Sequence, residues 1–183
     1  VCALLEERDI LRGQESAGQF FRNVDFHERW LALTHGGAID HGARERVKAQ
    51  QKRLMQLLKI KEESRDEDYL GAMIALAYPE RVCKQRAEAS LNYQSAAGVG
   101  LSLPDGSVLA KQRWLAVAEV DGVGSNARIF LAATLTETLL RQFLPDQVVR
   151  ETQGDWDDKS QSVIARDIER LGALILSEQI APL

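Results

Sequence analysis

The stretch that decides the fold is WLAVAEVDGVGSNARIFLAATL, residues 114–135. Trp114, Ala116, Ala118 and Val120 alternate with Leu115, Val117 and Glu119. Both sets are mostly apolar, which fits a strand covered on both faces. Asp121-Gly122 with Gly124 signals a tight hairpin, and residues 127–135 then read as the returning strand. Gly122-Val123-Gly124-Ser125-Asn126-Ala127 also matches the loosest dinucleotide-binding fingerprint. That fingerprint needs a helix N-terminus facing the pyrophosphate. A strand follows here instead, so the glycines serve a turn.

Working outward, Thr136 starts a short helix, Glu137–Phe143. Upstream, Leu91–Tyr93 and Val99–Leu103 are β-prone and lie beside the turn tripeptide Pro104-Asp105-Gly106. Downstream, Gln147–Gln153 and Val163–Ile168 can form a further antiparallel pair. About five short strands with one small helix suit a closed barrel of the OB type. Trp114 and Trp156 read as core.

The first 77 residues switch to helical periodicity. Val1, Leu4, Leu5 and Leu11 fall near one face, interrupted by Gly13 to Gly18. Asp25 with Glu28 resembles a capping box, followed by Phe26, Trp30 and Leu33 in one stripe that Gly36-Gly37 ends. Asp40 caps a helix in which Ala43, Val47, Leu54 and Leu58 share a face. Ser64 with Glu67 reads as another capping box. Tyr69, Leu70, Met73, Ile74 and Ala77 form the last stripe before Pro79. The expected class is α+β. A partial bundle of about four helices spans 1–77, an OB-like antiparallel barrel spans 78–150, and a β extension spans 151–183.

Composition narrows the function. The chain has 183 residues, 45% of them hydrophobic and 27% charged, which is globular and not disordered. The net charge is −4, so nucleic acid must be met by a local basic face. No apolar run approaches the length of a membrane span. Two cysteines are too few for a disulfide framework or a cysteine-based zinc site, and suit a reducing, cytoplasmic setting. Val1 is not a start methionine and the apolar run 171–176 lies close to the end, so a piece of a longer protein is expected.

The catalytic inventory is thin. No phosphate-cradling G-x-x-x-x-G-K-[ST] and no G-x-S-x-G occurs. His27, His35 and His41 are spaced by 8 and 6 with two glycines between, which does not suit a closed zinc tetrahedron. Asp155-Trp156-Asp157-Asp158 lacks the alternation and turn glycine of a calcium loop.

Two basic sets remain. Between Asp40 and Lys61 seven cations (Arg44, Arg46, Lys48, Lys52, Arg53, Lys59 and Lys61) face two acids. Arg44, Lys48 and Lys52 lie four apart, on one side of the helix. They suit either a phosphate backbone or a solvated face paired with the acids of 62–68. The second set is Arg81, Lys84 and Arg86, with Lys111 and Arg113 before the Trp114 strand and Tyr93 nearby. Cations beside an aromatic on an OB-type barrel suit an unpaired strand, with charge tracking the backbone and the ring stacking on a base. Half-buried packing is the other reading of Tyr93.

Several patches carry a family likeness: LLEERD at 4–9, ALAYPER at 75–81, WLAVAEVD at 114–121, ARI at 127–129 with LAA at 131–133, and RLGALILSE at 170–178. Together they resemble the region C-terminal to the motor in bacterial HrpB-type, DEAH-box ATP-dependent helicases. The resemblance implies a ratchet bundle and an OB domain without the motor. No cofactor is expected in the fragment; ATP and Mg would belong to the parent enzyme. The implied partners are single-stranded nucleic acid, RNA first, and the parent's own motor domains, with an activator protein as a further candidate. The alternative is a docking module for partner proteins or for the parent's other domains. Family members often carry a cation between the glycines at Gly98 and Gly100. Val99 removes it here, so no contact is assigned to that loop.

Overall fold

A computed structural model describes residues 1–7, 10, 11, 23–37, 39–61, 66–122, 127–158 and 161–181, with the backbone alone for Asp155 and Asp157. Arg8, Asp9, the Gly13 to Gly18 interruption, Ser64 and Gly124 fall outside the described residues.

Five strands close into a barrel: β1 (Val82–Gln85), β2 (Asn92–Ser95), β3 (Gly100–Ser102), β4 (Trp114–Asp121) and β5 (Ala127–Thr134), in the order β1-β2-β3-β5-β4. β3 and β5 run parallel and the other neighbours antiparallel. This is the mixed helix-and-strand architecture with an OB-like barrel that the 114–135 stretch implies. Both faces of β4 are apolar because both are covered. Leu115 and Val117 point into the barrel with Cys83, Tyr93, Leu101, Leu109 and Ile129. Trp114, Ala116 and Ala118 point outward into a second buried cluster shared with the helices and the far sheet.

β4 does not pair evenly. Its register with β5 shifts between Val117 and Glu119 and again between Glu119 and Val120. Such irregularity bends a strand, as a small closed barrel requires. The turn at Pro104-Asp105-Gly106 does not join β2 to β3, since residues 96–99 make that reversal, with Gly98 N donating to Ser95 O at 2.8 Å. The tripeptide instead follows β3. It leads into a short 3-10 turn, Val108–Lys111, capped by the Ser107 hydroxyl, which plugs Leu109 into the barrel.

Among the described residues, four α-helices precede the barrel: α1 (Cys2–Leu5), α2 (Phe26–His35), α3 (His41–Leu58) and α4 (Leu70–Ala77). Asp25 accepts from His27 N and Asp40 from Ala43 N, so both expected N-caps form. Asp66 accepts from Asp68 N and opens the turn that leads into α4. The buried face of α4 differs from the expected stripe. Leu70, Gly71, Ala72, Ile74 and Ala75 are buried, while Met73 and Leu76 are exposed. The cause is its seat on the barrel wall. A Cβ at Gly71 would lie 2.0 Å from Thr134 O, so only glycine lets the helix approach β5 this closely. α5 (Glu137–Phe143) forms where expected, capped by Thr136 Oγ1 accepting from Leu139 N.

The chain ends in a second antiparallel sheet, β6 (Val148–Asp157), β7 (Ser162–Leu171) and β8 (Leu174–Ile180), in the order β6-β7-β8. Leu171, Leu174 and Leu176 bury against the barrel. Trp156 is not core: at 62% exposure it stands near the far end of the ladder, opposite Val163. Its strand runs out beyond the barrel, where nothing among the described residues buries it.

Candidate nucleic-acid interface

The helical cations are partly consumed by local partners. Arg46 grips Glu7 with two bonds of 2.9 and 3.2 Å, and Lys48 pairs with Glu45 at 3.2 Å. Arg44 donates to the Leu33 carbonyl at 3.4 Å. Lys52 and Arg53 are exposed. Among the described residues, the acids paired with cations of this helix are Glu7 and Glu45.

On the barrel, Arg81 is committed to structure. Its guanidinium donates to Ala118 O at 2.8 Å, the carbonyl of the residue skipped by the β4 irregularity. It also meets Glu80 at 3.4 Å and lies 4.6 Å from the Tyr78 ring centroid. Lys84 reaches across to the second sheet. Its ammonium donates to the Ile175 carbonyl and sits 5.2 Å from the Trp114 ring centroid. Burial lowers its pKa, the Arg113 charge lowers it further, and Glu137 opposes both.

Arg86, Lys111 and Arg113 are exposed. Backbone pairing places Arg113 opposite Gln85, next to Arg86, and Lys111 lies two residues before Arg113 in the chain. Gln85 N donates to Arg113 O at 2.9 Å, and Arg86 N donates to Asn92 O at 3.0 Å. Beside them lies a cleft of about 290 Å³ lined by Lys84, Gln85, Arg86, Gln94 and the 173–175 backbone turn. Arg44, Lys48 and Lys52 do not line it. Gln94 and the Ile175 carbonyl had no signal in the sequence, because strand pairing and sheet docking bring them there.

Tyr93 leaves the set. Its ring is 0% exposed, so no base can stack on it. The position alternates inward on β2. Its hydroxyl lies 2.6 Å from Gln112 O and 3.1 Å from Leu109 O, and accepts from Gln85 Nε2 at 3.3 Å. Burial pushes its pKa up to about 12. Two of the histidines are bonded to other side chains, His27 to Glu67 of the turn before α4 at 3.1 Å and His35 to its neighbour Thr34 at 2.9 Å. Among the described residues no three His, Cys, Asp or Glu side chains form a metal-binding group.

With this geometry in hand, residues 147–180, which span β6 to β8, match the family model "ATP-dependent RNA helicase HrpB, connector region". The chain is similar to HrpB-type helicases. Solved structures that share the fold include two from E. coli. The DExH-box NTPase HrpB of E. coli superposes with a TM-score of 0.74 at 23% identity, covering 99% of this chain and 20% of that one. The E. coli DEAH/RHA helicase HrpB gives 0.69 at 20% identity, covering 97% and 20%. No curated protein matches the sequence. The chain therefore spans about a fifth of the HrpB chains it matches. The matched connector region is the sheet that Lys84 ties to the barrel.

Proposed function

We propose that this chain is an accessory element of a longer HrpB-like ATP-dependent helicase, holding single-stranded nucleic acid, RNA first, beside motor domains that lie outside it. It performs no catalysis alone; ATP and Mg belong to the motor. The observation that carries the reading is the proximity of Lys84, Arg86 and Arg113 around β1, with Lys111 two residues from Arg113 in the chain. The Arg113 charge is felt by Lys84. Like charges held together repel, and an anion placed between them relieves that repulsion. A phosphodiester supplies one charge per nucleotide beside β1, with no need for base contacts.

In this reading the cations named from sequence divide the labour. Arg81 braces the barrel, and Lys84 links barrel to connector. Arg86, Lys111 and Arg113 are the phosphate contacts. Arg44, Lys48 and Lys52 lie on α3, where Arg44 and Lys48 are bonded to the Leu33 carbonyl and to Glu45, so this reading leaves them out of the grip.

The test is fluorescence anisotropy of a labelled 12-nucleotide oligouridine across a salt series. Three phosphates neutralised give a log–log slope near −2, at about 0.7 per phosphate. The double variant Arg86→Glu with Arg113→Glu weakens binding at least about tenfold. Absence of binding at low salt, or a slope unchanged in the double variant, refutes the reading.

A further inference from the structure

The cleft beside β1 has one wall from the barrel and one from the connector sheet. Lys84, Gln85, Arg86 and Gln94 form the first, and the 173–175 turn forms the second. Strand pairing builds the barrel wall. Lys84 lies opposite Gln94 on β2 and opposite Trp114 on β4, so these three side chains share the outer face. Their neighbours Cys83, Tyr93 and Leu115 fill the interior.

The connector wall is docked by its own contacts. Ala173 N donates to Ala96 O at 2.8 Å, and Leu174 is buried. That docking carries the Ile175 carbonyl to the Lys84 ammonium. The same ammonium sits 5.2 Å from the Trp114 ring centroid, within range of a cation–π contact. A lysine head on its four-carbon stem samples many rotamers when free; this one is held by two partners.

A neutral donor would meet the Ile175 carbonyl as well as a lysine does. Burial and the Arg113 charge both work against a cation here. The opposing acid, Glu137, gives its carboxylate to Arg141 at 2.9 Å. An ammonium has three donors, and Ile175 O takes one. An anion in the cleft would accept from another and reverse the charge balance. Lys84 and Arg86 are two residues apart along the strand direction, about 7 Å. That spacing suits neighbouring phosphates of an extended single strand.

We infer that the connector sheet completes the nucleic-acid site: Ile175 O and Trp114 position Lys84 in the cleft as the ligand of one further phosphodiester. The inference rests on the barrel reading proposed above and adds a role for the docked sheet. Undocking the sheet weakens the grip without removing a cation.

The test is the oligouridine salt series on the unaltered chain, Lys84→Met, Gly172→Ala and the double variant. A fourth phosphate steepens the unaltered slope from near −2 to near −2.8, at about 0.7 per phosphate. Lys84→Met keeps an unbranched stem without the charge. It should return the slope to near −2 and weaken binding about three- to tenfold. Gly172→Ala pushes the turn away from Ala96 O and should move slope and affinity the same way. In the Lys84→Met background it should add nothing, because both changes remove one contact. Leu174→Ala, a second charge-neutral way to loosen the turn, replaces Gly172→Ala if that variant does not fold. Circular dichroism and hydrogen exchange of the Ala173 amide report fold and docking.

Three results overturn the inference while the barrel reading stands, with Arg86→Glu and Arg113→Glu still flattening the slope. They are a slope unchanged in Lys84→Met, undiminished binding by a chain whose turn is loosened, or effects of the two changes that add. Inorganic phosphate should displace no more oligouridine than chloride of equal ionic strength; stronger displacement makes the cleft a site for free phosphate and also overturns it. A chain that binds no oligouridine at low salt overturns both readings.

Discussion

Replacing Gly172 by alanine tests how the connector sheet is held to the barrel. Gly172 has φ +55, and a Cβ there would lie 2.2 Å from Ala96 O and 3.0 Å from Ala96 C. The next amide, Ala173 N, donates to that same Ala96 O at 2.8 Å. The left-handed backbone costs an L-residue roughly 1–2 kcal/mol. Opening the Ala173–Ala96 bond costs about 1 kcal/mol more. Lifting the turn also loosens Leu174, which is 2% exposed, for about 1 kcal/mol at partial re-exposure. The sum is about 3–4 kcal/mol, or roughly 10 °C in Tm for a chain of this size. Gly98 supplies the control on the opposite side of the contact. It has φ +83, but its Cβ would only touch Ala173 Cβ at 3.5 Å. Gly98→Ala therefore meets the backbone cost alone, roughly 1–2 kcal/mol and about 5 °C. Thermal unfolding of the two variants side by side, with hydrogen exchange of the Ala173 amide, separates the terms. If Gly172→Ala is no more destabilising than Gly98→Ala, and its Ala173 amide stays protected, the contact argument is refuted.

Other outcomes follow from the same structure. Arg81→Ala should lower stability by about 1–3 kcal/mol, because the Ala118 carbonyl loses its partner, and leave oligouridine affinity nearly unchanged; Arg86→Ala should do the reverse, read by urea titration and anisotropy. Tyr93→Phe should leave binding intact and cost about 1–3 kcal/mol of stability. The folded chain keeps the Tyr93 proton up to about pH 12 while the unfolded chain releases it near the ordinary tyrosine value of 10.0. The unfolded state therefore binds fewer protons between these values, so stability falls as pH rises through that window, and this alkaline slope should shrink in Tyr93→Phe. A thiol reagent should modify one cysteine per native chain, the exposed Cys2, and reach Cys83 only in denaturant, since Cys83 is buried and its thiol pKa is pushed up by burial. Trp156→Ser should shift Tm by no more than about 2 °C, whereas Trp114→Ala should cost about 3–5 kcal/mol.

The candidate site was legible only in part, and particular residues show why. Arg86, Lys111 and Arg113 were readable as cations flanking a strand. That Arg113 comes to lie beside Arg86 depends on β1 pairing with β4, a contact between residues 30 to 34 apart in sequence. Tyr93 was ambiguous because period-2 alternation says that a side chain faces one side, not which side is the barrel interior. Arg81 looked no different from Arg86 on paper. The carbonyl that claims it became available only because the β4 ladder skips Ala118. Trp156 looked like core by residue type, yet its ladder runs past the body of the molecule.

By itself, the sequence determined the local elements and their likeness. The caps at Asp25, Asp40 and Thr136, the doubly apolar β4 strand, the return at 127–135 and the RLGALILSE patch at 170–178 are short-range signals, set by hydrogen bonds and side-chain period within a few residues. Only the tertiary structure decided which cations are free. A guanidinium or ammonium is bound or available according to the carbonyls and carboxylates that distant strands bring to it, and those distances exist only once the chain has closed.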